Sequence, residues 1–243
     1  MIPLGVLGSA HVPATGPSWL PSNLGAALYA WYDAADAATI THSSGEVSQW
    51  ADKSGNGRHV TAQNARRPWT GARTQNGRNV LDHRFVSGND YGALGLLAGV
   101  SLSYPFTVAV VAAYDAWPSS GAGIIVSLRG AGGLYSPYAT SASTGIAMAS
   151  GSTLSSSTLA GTSAAQLISI HNGGSSVIRR NGTQIAAGNA GTSPATAILI
   201  GAAISGMGYG FDGFVGEVVI ASGALAGTDL TNLETYLAAK WGL

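Results

Sequence analysis

From Leu28 to Ala221 the chain is a succession of short apolar or alternating runs, each ended after four to nine residues by Gly, Ser, Asn or Pro. A helix of ordinary length needs about 10–12 residues of sustained period, so runs this short read as half-buried or fully buried strands. Ten stand out: Leu28–Tyr32, Val47–Trp50, Val80–Val86, Phe106–Tyr114, Ile124–Leu128, Gln166–His171, Val177–Arg180, Gln184–Ala187, Ala197–Gly201 and Phe214–Ala221. Phe106-Thr-Val-Ala-Val-Val-Ala-Ala-Tyr114 is apolar at nearly every position, which places it in the middle of a packed sheet. Asn181-Gly182 lies between two of the runs and supplies the two positive φ values of a type I′ turn, which predicts a tight hairpin. Only the end changes period. Leu230, Leu233, Leu237 and Trp241 recur at three-to-four spacing, so one amphipathic helix closes the chain. Thr228 or Thr231 could cap its start, the latter with Glu234 in a capping box, and Gly242 stands where a C-terminal cap belongs. With no βαβ alternation and no linker, residues 25–243 are expected to form a single antiparallel, all-β sandwich.

The surface of such a fold must be covered by small residues. Charged residues make up 9% of the 243 positions and Gly supplies 35, against about 25% charged in ordinary soluble domains. Eleven basic and eleven acidic side chains cancel, which argues against nucleic acid or an anionic membrane surface as partner. No apolar run reaches the roughly 20 residues of a membrane helix, so membrane insertion is not expected. The absence of Cys excludes disulfides, thiolate metal sites and thiol nucleophiles. Residues 1–24 hold four of the nine prolines, Pro3, Pro13, Pro17 and Pro21, and read as an extended arm. The apolar start has no preceding Lys or Arg and contains Pro3, so it is not expected to be a signal peptide.

The neutral total conceals one polarised stretch. Between Arg58 and Arg84, six arginines (Arg58, Arg66, Arg67, Arg73, Arg78 and Arg84) face only Asp82, giving this segment +5 and the remainder −5. Arginine forks bind carboxylates in bidentate fashion, so Arg66, Arg67, Arg73 and Arg78 are candidate contacts to a neighbouring subunit or an acidic ligand. The alternative is pairing with acids inside the fold.

Residues with catalytic chemistry are sparse. Asp212 and Glu217 could approach a common groove, as glycoside hydrolysis would need; the alternative is a turn at Asp212-Gly213 and a Glu217 that pairs with an arginine or bonds to backbone. No Gly-x-Ser-x-Gly occurs, and Gly208-Tyr-Gly-Phe-Asp-Gly213 matches a dinucleotide fingerprint but precedes a strand rather than a helix. His11, His42, His59, His83 and His171 show no zinc spacing. Asp33, Asp36, Asp52 and Asn56 offer calcium-type oxygens near turns, although closing Asx-type turns is the commoner task of such residues. No cofactor is expected. For stacking on a sugar ring, the aromatic residues set among turn residues are the candidates: Trp69, Tyr91, Trp117, Tyr135, Tyr138 and Tyr209, whereas Trp31, Trp50 and Trp241 fall in patterned elements and belong to the core.

Three stretches together resemble the laminin-G-like, concanavalin-A-like lectin superfamily: Leu28-Tyr-Ala-Trp-Tyr-Asp-Ala-Ala-Asp36 with Val47-Ser-Gln-Trp-Ala-Asp-Lys-Ser-Gly-Asn-Gly-Arg-His59, then Arg84-Phe-Val-Ser-Gly-Asn-Asp-Tyr91, then Phe211-Asp-Gly-Phe-Val-Gly-Glu-Val-Val-Ile220 through the terminal Tyr236-Leu-Ala-Ala-Lys-Trp-Gly-Leu243. In the second stretch Val86 stands where the family often has an acid. The resemblance implies a jelly-roll sandwich of two curved sheets, and in the form common in phages it implies a non-enzymatic minor tail or other virion protein. Its expected partners are then other virion proteins, further copies of itself and a host-surface glycan, and its place is the particle, reached from the host cytoplasm without a signal peptide. A decoration subunit binding only virion proteins, and a polysaccharide-degrading enzyme, are the alternatives.

Overall fold

The computed structural model describes residues 19–63, 67–87, 90–116, 123–128, 134–141, 144–158, 161–203 and 210–243. Among them two antiparallel sheets face one another. In the first, the strands Leu28–Asp33, Gly213–Ser222, Phe106–Tyr114, Ala165–His171, Ser176–Arg180 and Thr183–Gly188 lie side by side, with Leu81–His83 also paired to Gly213–Ser222. The second runs Thr153–Ser155, Thr144–Ser150, Leu134–Ser141, Val126–Ser127, Ile198–Ile200, Leu94–Leu96, Val60–Ala62, Glu46–Trp50 and Ile40–Ser43, with Gly123–Ile124 paired to Leu134–Ser141. The all-β, antiparallel sandwich expected from the pattern is therefore present.

Alternation decides which way each side chain points. In Phe106–Tyr114 all nine residues are buried: Phe106, Val108, Val110, Ala112 and Tyr114 enter the core between the sheets, while Ala109, Val111 and Ala113 enter a second core on the outer face. That outer core is closed by the helix Gly227–Trp241, which buries Leu233, Tyr236, Leu237 and Trp241. A two-faced apolar strand thus needs a cover on each side, and the helix is the second cover.

Each of the ten apolar runs carries strand, with Val80–Val86 divided into Leu81–His83 and Phe85–Ser87, and Ile124–Leu128 into Gly123–Ile124 and Val126–Ser127. Asn181 and Gly182 adopt φ of 47° and 76° and join Arg180 to its partner Thr183, as the dipeptide predicts. Gly242 caps the helix in the left-handed region, φ 68°. The helix start differs from expectation. Ala226 is the N-cap and makes no side-chain cap bond; Thr231 Oγ1 donates back to the Gly227 carbonyl, and Glu234 is taken by an ion pair to Arg179 at 2.6 Å. Of the expected arm, residues 1–18 lie outside the described residues. Trp19 packs edge-on against Tyr236, Leu24 is buried, and Pro21–Ala27 forms 3-10 turns.

Candidate functional site

Among the described residues, the most elaborate polar cluster is buried beneath the helix. Glu217 is fully buried on the helix-facing side of its strand. Its Oε1 accepts from Trp31 Nε1 at 2.6 Å and Tyr236 Oη at 2.8 Å, and its Oε2 from Trp241 Nε1 at 2.7 Å and Lys240 Nζ at 2.8 Å. Lys240 Nζ also reaches Asp33 Oδ1 at 2.6 Å, and Asp33 Oδ2 accepts from Lys53 at 2.9 Å. Burial pushes the Glu217 carboxyl above its ordinary value, the Lys240 ammonium pulls it back and Asp33 pushes it up again. A carboxylate that spends its lone pairs on four internal donors, with no surface, has none to offer a substrate. Glu217 is a tie between strand and helix rather than one half of a groove with Asp212.

Asp52 plays a similar part in the Trp50–His59 loop. Its carboxylate accepts from Trp31 N, Ser54 N, Ser54 Oγ and Arg58 N at 2.7–3.0 Å. Asn56 Nδ2 donates to the carbonyls of Leu28 and Tyr29, and Arg58 lies over the Tyr29 ring at 3.7 Å while its Nη1 reaches the Tyr29 carbonyl. The loop is a clasp on the first strand. Asp33 and Asp36 are both spent on Lys53, at 2.9 and 2.7 Å. Among the described residues no group of three or more His, Asp or Glu could hold a metal ion. His83 and His171 are buried, and burial pushes their imidazoles down to about 4 and about 3.

Four of the six arginines of the +5 stretch, Arg58, Arg73, Arg78 and Arg84, find partners within the fold. Arg73 grips Asp115 through both terminal nitrogens and reaches Asp82, with its guanidinium 4.6 Å over Phe214. Arg78 Nε donates to the Lys240 carbonyl at 2.8 Å, and Arg84 pairs with Asp82 at 3.0 Å. Arg67 is half-buried; Arg66 lies outside the described residues.

Of the six candidate stacking aromatics, the structure brings two together. Tyr135 and Tyr138 stand three residues apart on one strand, where simple alternation would put them on opposite faces. A register shift between them restores both to the outer face of the second sheet, where their rings meet edge-on at 5.6 Å above Ile124, Ala147 and Ala149. Tyr138 is buried, which raises its phenol pKa, and its hydroxyl is bonded to Thr153; Tyr135 keeps exposed surface. Trp69 is half-buried elsewhere, pressed against Gly45, where a Cβ would come within 3.0 Å of the indole, with Arg84 5.8 Å from its ring. Trp117 and Tyr209, and the side chain of Tyr91, lie outside the described residues.

Around Tyr135 the register lays out a row across the whole outer face: Thr153, Ala149, Tyr135, Ser127, Leu199, Gly95, Thr61, Gln49 and Thr41 are successive cross-strand partners. Their alternates, among them Met148, Val126, Ile200, Leu94, Val60 and Trp50, fill the core. The middle of the row is closed, because Gln63 folds over Gly95 and bonds its carbonyl at 2.9 Å. The ends are open, with Thr153 exposed beside half-buried Tyr135 at one and Thr61 and Thr41 at the other. The hydroxyl residues of this row were not singled out in the sequence, since a Ser/Thr-rich segment carries no periodicity that separates a strand from a loop.

Neither a family model nor a curated sequence matches the chain. Solved structures do. The fourth domain of an extracellular arabinanase from Geobacillus stearothermophilus, in complex with arabinotriose, is 13% identical with a TM-score of 0.60, over 85% of this chain and 98% of that domain. Trypanosoma rangeli sialidase with the inhibitor DANA is 13% identical with a TM-score of 0.57, over 87% of this chain. An α-L-arabinofuranosidase soaked with 4-nitrophenyl α-L-arabinofuranoside is 12% identical with a TM-score of 0.57, over 81% of this chain. The chain spans about a third of the sialidase and half of the arabinofuranosidase. At such identity the likeness shows a shared β-sandwich fold. It corrects the expectation of a non-enzymatic virion protein: the matched structures are carbohydrate-active enzymes or parts of them, not phage proteins.

Proposed function

We propose that this sandwich is a jelly roll and takes part in polysaccharide breakdown, recognising a neutral glycan chain on the outer face of the sheet that carries no helix. The observation that carries the reading is the Tyr135–Tyr138 platform: one partly exposed ring, held edge-on by its neighbour and flanked by the Thr153 hydroxyl, on the open end of a row of small and polar side chains. A sugar ring offers an apolar face and a rim of hydroxyls, and this surface offers the complement of both. The arabinotriose held by the matched arabinanase domain supports the ligand class.

The test is calorimetric titration with arabinotriose, cellotriose and maltotriose. At least one is expected to bind, and Tyr135→Ala should weaken it about tenfold, the equivalent of about 1.4 kcal/mol, with the melting temperature unchanged. Binding indifferent to Tyr135→Ala, or none to any neutral glycan, would overturn the reading. The enzymes matched also favour a second reading, hydrolysis by the chain itself, which release of reducing ends from arabinan would establish.

A further inference from the structure

On the other sheet, a half-open cleft of about 510 Å³ lies between the Thr74–Asn79 hairpin, the lead into the Ala165–His171 strand, the Asn181 turn and the end of the helix. Clefts of roughly 300–1,000 Å³ are the size that holds small ligands. We propose that this cleft is a second saccharide site, taking one end of a neutral sugar chain. The ligand class rests on the glycan reading above; the cleft itself does not.

Its walls argue for a neutral, polyhydroxylated occupant. Arg73 supplies a flat guanidinium fixed on its edges by Asp115 and Asp82 and on its face by Phe214, and the two carboxylates, Asp82 shared with Arg84, balance the two guanidinium groups and leave no net positive charge for an anion. Thr74, Thr162 and Ser163 bring three exposed hydroxyls, each donor and acceptor. Gln75 gives its Nε2 to the Trp241 carbonyl, which fixes the amide and leaves its oxygen as an acceptor. Asn181 is oriented the opposite way: its Oδ1 accepts from Gln166 N, which leaves its amino group as a donor. Oriented donors and acceptors around an apolar floor discriminate a sugar from a simple apolar ligand, which would leave them unpaired.

The experiment is amide-shift NMR with the same three trisaccharides on the full chain, comparing the parent with Ser163→Trp, Thr162→Trp and Tyr135→Ala. Ser163 and Thr162 are exposed, so an indole there fills the cleft without entering the core. The expected result is saturable shifts at Thr74, Ser163 and Asn181 that persist in Tyr135→Ala and fall at least tenfold in amplitude or affinity in either Trp variant. Shifts confined to Tyr135, Tyr138 and Thr153 would overturn the second site and leave the first standing. Shifts at neither surface would overturn both.

Discussion

Removing the Lys240 ammonium while keeping its stem, as Lys240→Met, tests the account of the buried cluster. In the native fold Nζ lies 2.6 Å from Asp33 Oδ1, 2.8 Å from Glu217 Oε2 and 3.0 Å from Tyr236 Oη. Without it two carboxylates face one another beneath the helix, one of them fully buried. Breaking a buried pair from one side costs about 3–5 kcal/mol, a large part of the roughly 5–15 kcal/mol that holds a domain folded, and on the order of 10 °C in melting temperature. The loss should depend on pH. Burial already raises the Glu217 carboxyl, and Lys240 is the strongest influence pulling it down, so in the variant it rises further. A group raised in the folded state contributes fully below its unfolded pKa and less as pH climbs through the folded one. The deficit of Lys240→Met is therefore greatest near pH 7.5 and shrinks towards pH 5. Urea melts of the parent, Lys240→Met and Lys240→Met/Glu217→Gln at both pH values supply the measurement, and the double variant should regain part of the loss and lose its pH dependence, because the buried charge is gone and the amide oxygen still accepts from one indole while its NH2 faces the other indole N–H. A deficit under 1 kcal/mol, equal deficits at the two pH values, or no recovery in the double variant would refute the reasoning.

Two further outcomes follow from the clasp and from the buried imidazoles. Asp52→Ala strips four donors of their acceptor, one of them the buried Trp31 amide; a loss of about 3 kcal/mol is expected in chemical denaturation, partly recovered by Asp52→Asn, and a change under 0.5 kcal/mol would show that the loop holds without it. Burial takes His83 down to about 4, against a smaller upward pull from its bond to the Gly92 carbonyl. The unfolded chain then takes up a proton that the folded one refuses, so stability is full above about pH 6.5 and falls between there and pH 4 by up to about 1.4 kcal/mol per unit; His83→Gln should flatten that slope, and an unchanged slope would contradict it.

The strands that were legible in the sequence are those whose two faces differ, or are both apolar, in a way that a run of side chains records: Phe106–Tyr114 could be placed at the centre of a sheet because no polar face exists to expose. Leu134–Ser141 escaped for a physical reason. Pro137 cannot donate to a ladder, which argues against a strand, yet it sits in the register shift between Tyr135 and Tyr138, where the ladder is interrupted. The same irregularity gathers the two tyrosines on one face, so what hid the strand also built the candidate site. The clefts and rows of this surface depend on which strands neighbour one another, and strand order is set by long-range pairing that no local window contains.

The resemblance to a lectin-like superfamily rested on three stretches, and the structure shows what two of them do. Trp31 and Asp33 from the first and Glu217, Tyr236, Lys240 and Trp241 from the last meet in a single buried network, while Asp52, Asn56 and Arg58 clamp the strand that carries Trp31. These residues fasten the helix to the outer face of a sheet, a task that does not depend on what the chain binds. A pattern made of fastenings identifies an architecture, which is why it led to an all-β sandwich, as found, but misled on function, to a non-enzymatic virion protein. Tyr135, Tyr138 and Thr153 lie between those stretches, in sequence with no motif and on the sheet the helix does not cover. Binding residues on such a face are free to vary without loosening the network beneath the other sheet, so two chains can share every fastening and still hold different ligands.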